Sequence, residues 1–205
     1  KRIIYMPWWF DRKSVAVAEQ LRAAFQIRDF IETGTFRGIN LKFWSYRFNY
    51  VIGVEQNPEY EKITHQRMIS TKRGNWAIYC DTSPKFLEWF SKDYRRWPSD
   101  YPPVLIYLDA HFYDSTLPKD KRWVVKDELK ALAGFTNCII AIHDFDCNGL
   151  GHLVYDGQPL NFDLIKDDLL SVNPDFHFYG NTREGCEVHT AESIVGVEGL
   201  EPDED

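Results

Sequence analysis

Five short apolar runs, separated by segments of helical pattern, constrain the fold of this chain more than any other feature. They are rich in β-branched and aromatic residues and are largely continuous, which is typical of strands that are buried on both faces of a parallel sheet. The runs are DFIET, YVIGVE, WAIYC, VLIYLDA and CIIAIHD. Such a β-α-β-α series predicts an α/β fold with a doubly wound sheet and helices on both of its faces.

The segments between these runs carry helical patterns, predicted at 13–28, 38–48, 58–71, 83–95, 120–133 and 160–171. Pro58 and Pro84 stand near two of the predicted starts, where a first helical turn tolerates proline. Near the C-terminus, FHFYGNT (176–182) and ESIVGVE (192–198) are expected to pair as a terminal antiparallel hairpin. The prediction is therefore a Rossmann-like α/β sheet of about seven mostly parallel strands.

The chain has 205 residues, enough for one large domain. We divide it into an N-terminal extension with a helix (1–28), a single domain (29–198) and an acidic tail (199–205). No internal repeat or low-complexity stretch suggests another arrangement.

The charge pattern narrows the class of partner. The formal net charge is −7 and no run of Lys and Arg is longer than two, which disfavours nucleic acid. No apolar run approaches the ~18 residues of a membrane span, so we expect no membrane partner. The four cysteines lack CxxC spacing and fit a reducing, cytoplasmic setting. A homo-oligomer stays open.

Each of the five apolar runs ends at or beside a carboxylate. Those carboxylates belong to Glu32, Glu55, Asp81, Asp109 and Asp144. In an open α/β sheet the carboxyl ends of the strands bind the ligand. Each acid alone could equally be a turn residue or a helix cap. Five together at one edge would repel one another, and a cationic ligand or a metal would relieve that repulsion.

The stretch FIETGTFRGIN refines this expectation. A turn between a strand and a helix commonly holds phosphate, but the dinucleotide fingerprint GxGxxG is absent and the glycines are spaced GxxxG, Gly34 to Gly38. Glu32 at its entrance would repel a pyrophosphate by about 4 kcal/mol at an effective dielectric near 20. It would attract an ammonium or sulfonium, while the helix start after Gly38 attracts a carboxylate. An amino acid that carries a positive sulfur fits both.

Two further acids fit a nucleoside. Glu55 follows Glu32 by 23 residues (55 − 32), near the ~20-residue spacing of a carboxylate that binds ribose hydroxyls. Asp81 follows the third run, where it could meet an adenine amine. Its alternative role is to cap the next helix, as Thr82 or Ser83 could.

Four stretches, FIETGTFRG, VIGVEQNP, IYCDTS and IYLDAH, occur in this order. They resemble the successive motifs of class I S-adenosylmethionine-dependent methyltransferases over roughly residues 29–145. The resemblance implies S-adenosylmethionine as cofactor. It also implies a small-molecule acceptor, because the NPPY-like motif of amino-methylating DNA enzymes does not follow the fourth run. The cofactor residues it implies are Glu32, Gly34, Thr35 and Gly38 (methionine), Glu55 and Gln56 (ribose), Asp81 and Thr82 (adenine side), and Asp109.

The ends of the fourth and fifth runs suggest the chemistry. In metal-dependent O-methyltransferases of the catechol and macrolide-sugar kinds a hard cation lies there, and Asp109 and Asp144 match its ligands, although the neighbours His143 and Phe145 do not. The resemblance thus implies Mg²⁺ or another divalent metal. His111 and His143 are the candidate general bases, with Asp109 beside them. Alternatively, one histidine only packs or caps.

These observations predict a methyltransferase that acts on a hydroxyl or amine of a small molecule, such as a sugar or natural-product intermediate. Two alternatives stay open. One is an NAD-type oxidoreductase on the same fold. The other is a metal-dependent hydrolase or binding protein that uses the four side chains of Asp109, His111, His143 and Asp144. A nucleotide pocket without catalytic activity is also compatible with the sequence.

Overall fold

The structure is a computed structural model of the chain. It describes residues 12–94, 100–110, 118, 123–143, 145, 154–155, 158–181 and 186–191.

A seven-stranded sheet forms the centre of the fold. Its strands are β1 (Asp29–Thr33), β2 (Tyr50–Glu55), β3 (Trp76–Cys80), β4 (Val104–Leu108), β5 (Cys138–Ile142), β8 (Phe176–Asn181) and β9 (Cys186–Ala191), and a separate pair is β6 (Val154–Tyr155) with β7 (Gln158–Pro159). The order across the sheet is β3-β2-β1-β4-β5-β9-β8. The first five strands are parallel, whereas β9 is antiparallel to both β5 and β8.

Six helices connect and cover the strands within the described part of the chain. They are α1 (Arg12–Ala24), α2 (Ile39–Ser45), α3 (Pro58–Ile69), α4 (Ser83–Tyr94), α5 (Val124–Ala131) and α6 (Phe162–Val172). The strand order reverses at β1, which has β2 on one side and β4 on the other. Ligands of doubly wound sheets bind at such a reversal, outside the carboxyl ends of the strands.

Two apolar layers hold the helices on the sheet. Phe30 packs in the layer with α1, α2 and α3, and its neighbour Ile31 packs in the layer with α4, α5 and α6. Because side chains alternate between the faces of a strand, Glu32 points towards the first layer and Thr33 towards the second. Both lie at the carboxyl end of β1, and each face of the sheet therefore contributes a polar group there.

The Rossmann-like α/β prediction is confirmed, and several boundaries need correction. The first helix ends at Ala24 instead of 28, because Gln26 adopts a left-handed φ of 53°. The fourth and fifth strands end at Leu108 and Ile142, two residues before the predicted ends. In the described part of the chain β8 pairs with β9, and the predicted partner, the stretch 192–198, lies outside the described residues.

None of the helices in the described part of the chain has the length and apolar character that crossing a bilayer requires.

Candidate functional site

The turn between β1 and α2 lies at the strand-order reversal. Gly34 and Gly38 both have left-handed φ angles, 70° and 67°, a conformation that glycine adopts without steric cost. A Cβ on Gly34 would lie 2.6 Å from the carbonyl oxygen of Asp109, and one on Gly38 would lie 2.5 Å from a methyl group of Thr64. The two glycines therefore let the turn pack directly against the end of β4 and against α3.

The turn is also held by side chains from β2 and α3. Glu55 Oε2 accepts a hydrogen bond from the backbone N–H of Phe36 at 2.8 Å. Thr64 Oγ1 donates to the carbonyl of Phe36 at 2.9 Å, and Arg67 Nε donates to the carbonyl of Arg37 at 2.6 Å. The conformation of the turn is thus fixed by groups that come from outside it.

Glu32, at the entrance of this turn, is a buried carboxyl with an incomplete set of partners. Asn40 Nδ2 donates to Glu32 Oε1 at 2.7 Å, but Glu32 Oε2 has no hydrogen-bond partner among the described residues. Burial raises the pKa of Glu32 well above its usual range; Asn40 opposes this rise and Asp109 adds to it. A cation beside the carboxylate would favour its charged form.

Asp109 and His143 form a pair at the ends of β4 and β5. His143 Nδ1 lies 3.1 Å from Asp109 Oδ1, and the two side chains are only 14% and 13% exposed. The backbone positions both residues, because Asp109 N donates to Thr33 Oγ1 at 3.2 Å and His143 N donates to the carbonyl of Leu108 at 3.0 Å. This pair provides an imidazole next to a carboxylate close to Glu32.

A small pocket that is open to solvent lies between the glycine turn, Glu32 and Asp109. Its lining residues are Glu32, Gly34, Thr35, Phe36, Arg37, Ile39, Asn40 and Asp109. Thr35 is buried, and its hydroxyl oxygen, like Glu32 Oε2, has no hydrogen-bond partner among the described residues. Such buried polar atoms are costly unless something satisfies them, which makes this pocket the candidate binding site.

Glu55 and Gln56 follow the neighbouring strand. Glu55 is buried, and its two oxygens accept backbone N–H groups of Phe36 and Asn57. Each carboxylate oxygen has a second lone pair, so Glu55 can still accept hydroxyl protons from a ligand. Gln56 is exposed, and it does not line the pocket.

Asp81 makes its described contacts at the start of the next helix. It accepts a hydrogen bond from Thr82 N at 2.9 Å and pairs with Lys85 Nζ at 2.8 Å. Lys85 lowers the pKa of Asp81, and Thr82 adds to the effect. Both contacts belong to the start of α4, and neither Asp81 nor Thr82 lines the described pocket.

The metal prediction is only partly accessible to the structure. His111 and Asp144 lie outside the described residues. Within the described part, no group of three or more His, Cys, Asp and Glu side chains could hold a metal ion. Of the two predicted ligands, the structure places Asp109 alone, with His143 next to it. The metal therefore stays a prediction from the sequence.

Sequence reasoning missed several residues of the site region, among them Asn40, Phe36 and Glu128. Asn40 binds Glu32, Phe36 lines the pocket, and Glu128 on α5 is a fully buried carboxyl whose oxygens lack a well-formed hydrogen bond within the described residues. Asn40 could have been identified, because it lies in the first turn of the helix that follows the glycine turn. Glu128 has no local signal, since its burial depends on packing against other helices.

Comparison with known proteins gives a consistent picture of the fold. No protein-family model matches the chain, and no curated protein matches its sequence. Among solved structures, CalS10 from Micromonospora echinaspora, a SAM-bound amino pentose methyltransferase, matches with a TM-score of 0.59 at 10% identity over 91% of this chain and 92% of that one.

Two further structures agree. A putative caffeoyl-CoA O-methyltransferase from Staphylococcus aureus has a TM-score of 0.57 at 15% identity, covering 87% of this chain and 83% of that one. The N-methyltransferase NodS from Bradyrhizobium japonicum has a TM-score of 0.52 at 10% identity, covering 92% and 99%. At such identities a structural match establishes the fold alone. The chain has the fold of the class I S-adenosylmethionine-dependent methyltransferases.

Proposed function

We propose that this protein transfers a methyl group from S-adenosylmethionine to a hydroxyl or amine of a small molecule. One observation carries the proposal: Glu32 Oε2 and Thr35 Oγ1 are buried, lack partners among the described residues, and belong to side chains that line one pocket beside Asp109. That pocket lies at the strand-order reversal, where this fold binds its ligands.

The hydrogen bonds of the turn favour a sulfonium nucleoside over a dinucleotide. A dinucleotide fold offers the free N–H groups of its turn to the pyrophosphate. Here the N–H of Phe36 already donates to the Glu55 carboxylate. The pocket adds the carboxyl groups of Glu32 and Asp109, which disfavour a diphosphate and favour a cation. The oxidoreductase alternative is therefore not favoured.

The remaining parts of the nucleoside are assigned as follows. Glu55 accepts the ribose hydroxyls with the lone pairs that its backbone contacts leave free. The start of α2, after Gly38, takes the carboxylate of the methionine part. We place the adenine near Asp81 and Thr82.

When bound, S-adenosylmethionine supplies an electrophilic methyl group on a positively charged sulfur. The residues of this chain then have two tasks, to orient the acceptor in line with that sulfur and to remove its proton. Asp109 faces His143 Nδ1, so it favours the tautomer with the proton on that nitrogen. We assign the removal of the acceptor proton to Nε2 of His143, and Asp109 stabilises the resulting imidazolium.

The acceptor class is proposed from the sequence and supported by the structural neighbours. One of them is described as an amino pentose methyltransferase and another as a putative caffeoyl-CoA O-methyltransferase, both of which act on small molecules. A sugar or natural-product intermediate is our candidate. A divalent metal at Asp109 and Asp144 would polarise an acceptor hydroxyl. The absence of CxxC spacing supports a cytoplasmic setting.

Calorimetry with S-adenosylmethionine, S-adenosylhomocysteine and NADH, with and without Mg²⁺, tests this proposal. We expect both sulfur nucleosides to bind and NADH not to bind. Glu55→Ala should weaken their binding by about 2 kcal/mol, roughly 30-fold, because charge-assisted hydrogen bonds are lost. Glu59→Ala, which removes an exposed acid from the start of α3, is the matched control and should leave the affinity unchanged. Binding of NADH alone would refute the proposal.

A further inference from the structure

Phe36 holds an unusual backbone conformation at the pocket. Three non-glycine residues have a left-handed φ in the described part of the chain: Gln26 at 53°, Phe36 at 49° and Lys72 at 57°. Gln26 and Lys72 lie in exposed turns, whereas Phe36 lines the pocket. A side chain in this conformation is strained, because its Cβ approaches the following carbonyl oxygen.

Hydrogen bonds to both the backbone N–H and the backbone carbonyl of Phe36 hold it in this conformation. Its N–H donates to Glu55 Oε2 at 2.8 Å, and its carbonyl accepts from Thr64 Oγ1 at 2.9 Å. Its ring lies edge-on to the ring of Tyr60, with the centroids 4.4 Å apart. Strain of this kind persists where neighbouring groups over-determine it, and it concentrates at functional sites.

A glycine at this position would adopt the same backbone without strain. It would also place glycine two residues after Gly34 and two before Gly38. The chain has a large aromatic residue there instead. Among the lining residues of the pocket, Phe36 and Ile39 are the large apolar ones. The guanidinium group of Arg37 lies over the Phe36 ring, 5.1 Å from its centroid. The ring is therefore a feature that the turn accommodates at a steric cost.

We propose that Phe36 is a specificity-determining residue whose ring forms an apolar wall for the thioether and the ribose of a sulfur nucleoside. The inference rests on the proposed function and extends it to Phe36, whose aromatic side chain the glycine turn does not need for its conformation. The Glu55 hydrogen bond sets the position of the ring next to the carboxylate that we assign to the ribose. Tyr60 supports the ring from α3.

Four substitutions separate the ring from the backbone. Phe36→Ala and Phe36→Gly both remove the ring, but only glycine relieves the strain; Lys72→Ala and Lys72→Gly repeat the same pair at an exposed turn away from the pocket. Affinity for S-adenosylhomocysteine is measured by calorimetry and thermal stability by melting temperature. We expect both Phe36 variants to bind about tenfold more weakly than the wild type. Both Lys72 variants should bind as the wild type does.

Stability should follow a different order from affinity. In each pair the glycine variant should melt at a higher temperature than the alanine variant, because glycine tolerates a positive φ. Phe36→Tyr, which keeps the ring, should retain wild-type affinity. Should Phe36→Ala be too unstable to titrate, Phe36→Gly against Lys72→Gly carries the comparison.

Two results would overturn the inference. One is wild-type affinity in both ring-deleted variants. The other is an affinity that follows the melting temperature, so that glycine at position 36 restores binding and alanine does not. Failure of the proposed function looks different, because S-adenosylhomocysteine would then not bind even to the wild-type protein, and the assigned role of Phe36 would be wrong together with it.

Discussion

An acid is buried at each end of strand β1, and the two carboxyl groups differ in their hydrogen-bond partners. At the amino end, Asp29 Oδ2 accepts a hydrogen bond from the hydroxyl of Tyr101 at 2.9 Å. At the carboxyl end, Glu32 has one oxygen bonded to Asn40 and the other without a partner among the described residues. Burial raises the pKa of both acids, while Tyr101 and Arg28 oppose the rise at Asp29.

The described partners of Asp29 are all groups of the protein itself. Tyr101 is anchored in turn, since Asn137 Nδ2 donates to its carbonyl at 3.0 Å. Such a cluster stabilises the fold, and its hydrogen bonds do not require a ligand. Glu32 instead shares a pocket with the orphaned hydroxyl of Thr35 and with Asp109. Burial of an acid is therefore not by itself a sign of function; a buried acid with an unsatisfied atom beside a cavity is one.

The largest expected effect concerns Glu128, another buried acid, which lies near Thr33 at the carboxyl end of β1. Burial raises the pKa of Glu128 to about 7, and the Ser83 and Thr33 hydroxyls only partly oppose this. Between pH 4.5 and 7 the unfolded chain loses this proton and the folded protein keeps it, so the stability falls as the pH rises. Above pH 7 the loss, about 3 kcal/mol, is complete.

Glu128→Gln should therefore be more stable than the wild type at pH 8 by up to about 3 kcal/mol, with little difference at pH 4.5. Urea unfolding at the two pH values measures this. Glu88→Gln, an exposed acid on α4, is the control and should not show the same gain. Equal pH dependence in the wild type and Glu128→Gln would mean that this carboxyl does not stay buried and poorly paired.

The next effect sharpens the comparison at Glu32. A sulfonium beside this carboxyl lowers its raised pKa, so binding of S-adenosylmethionine should release a proton and tighten with rising pH. Glu32→Gln should weaken that binding by about 2 kcal/mol and should weaken S-adenosylhomocysteine, which lacks the positive charge, less. Calorimetry in buffers of different ionisation enthalpy detects the proton. Equal losses for both nucleosides would contradict the assignment of the sulfonium to Glu32.

The opposite end of β1 should respond in the opposite way. Tyr101→Phe removes the donor to Asp29 and should lower the free energy of unfolding by about 1.5 kcal/mol, because a buried acceptor loses its partner. Affinity for S-adenosylhomocysteine should not change. Urea unfolding and calorimetry on the same sample check both. A loss of affinity with unchanged stability would erase the distinction between the two ends.

The smallest effect is expected at Thr35. Thr35→Val keeps the shape of the side chain and removes a buried hydroxyl that has no partner among the described residues. The free energy of unfolding should rise by up to about 1 kcal/mol while affinity for S-adenosylhomocysteine falls several-fold. A variant that is both less stable and equally tight in binding would show that this hydroxyl serves the fold.

Much of the fold could be predicted from the sequence, because the first three strands are continuous apolar runs that stop at polar residues. Their bounds, such as Asp29–Thr33, agree with the predicted runs. The ends of β4 and β5 were placed two residues too far, since Asp109 and His143 continue the motif but lie beyond the ladder. The end of α1 depends on the left-handed conformation of Gln26. The sequence does not signal it, because the residue in that conformation is not glycine.

The site was predictable where topology decides it. The rule that ligands bind at the carboxyl ends of strands placed Glu32, Asp109 and the glycine turn together, as the structure does. It could not reveal that Glu55 holds the turn through Phe36, because that bond joins residues 19 positions apart. Nor could it decide the role of Asp81, because an aspartate at this position suits both a contact at a helix start and the binding of a ligand.

The measurement that tests the central claim most directly is a crystal structure of the protein with S-adenosylhomocysteine. The account predicts the sulfur beside Glu32 and Thr35, the ribose on Glu55, and unchanged contacts around Asp29. A nucleoside bound elsewhere, or one that leaves Glu32 Oε2 and Thr35 Oγ1 without partners, would contradict it.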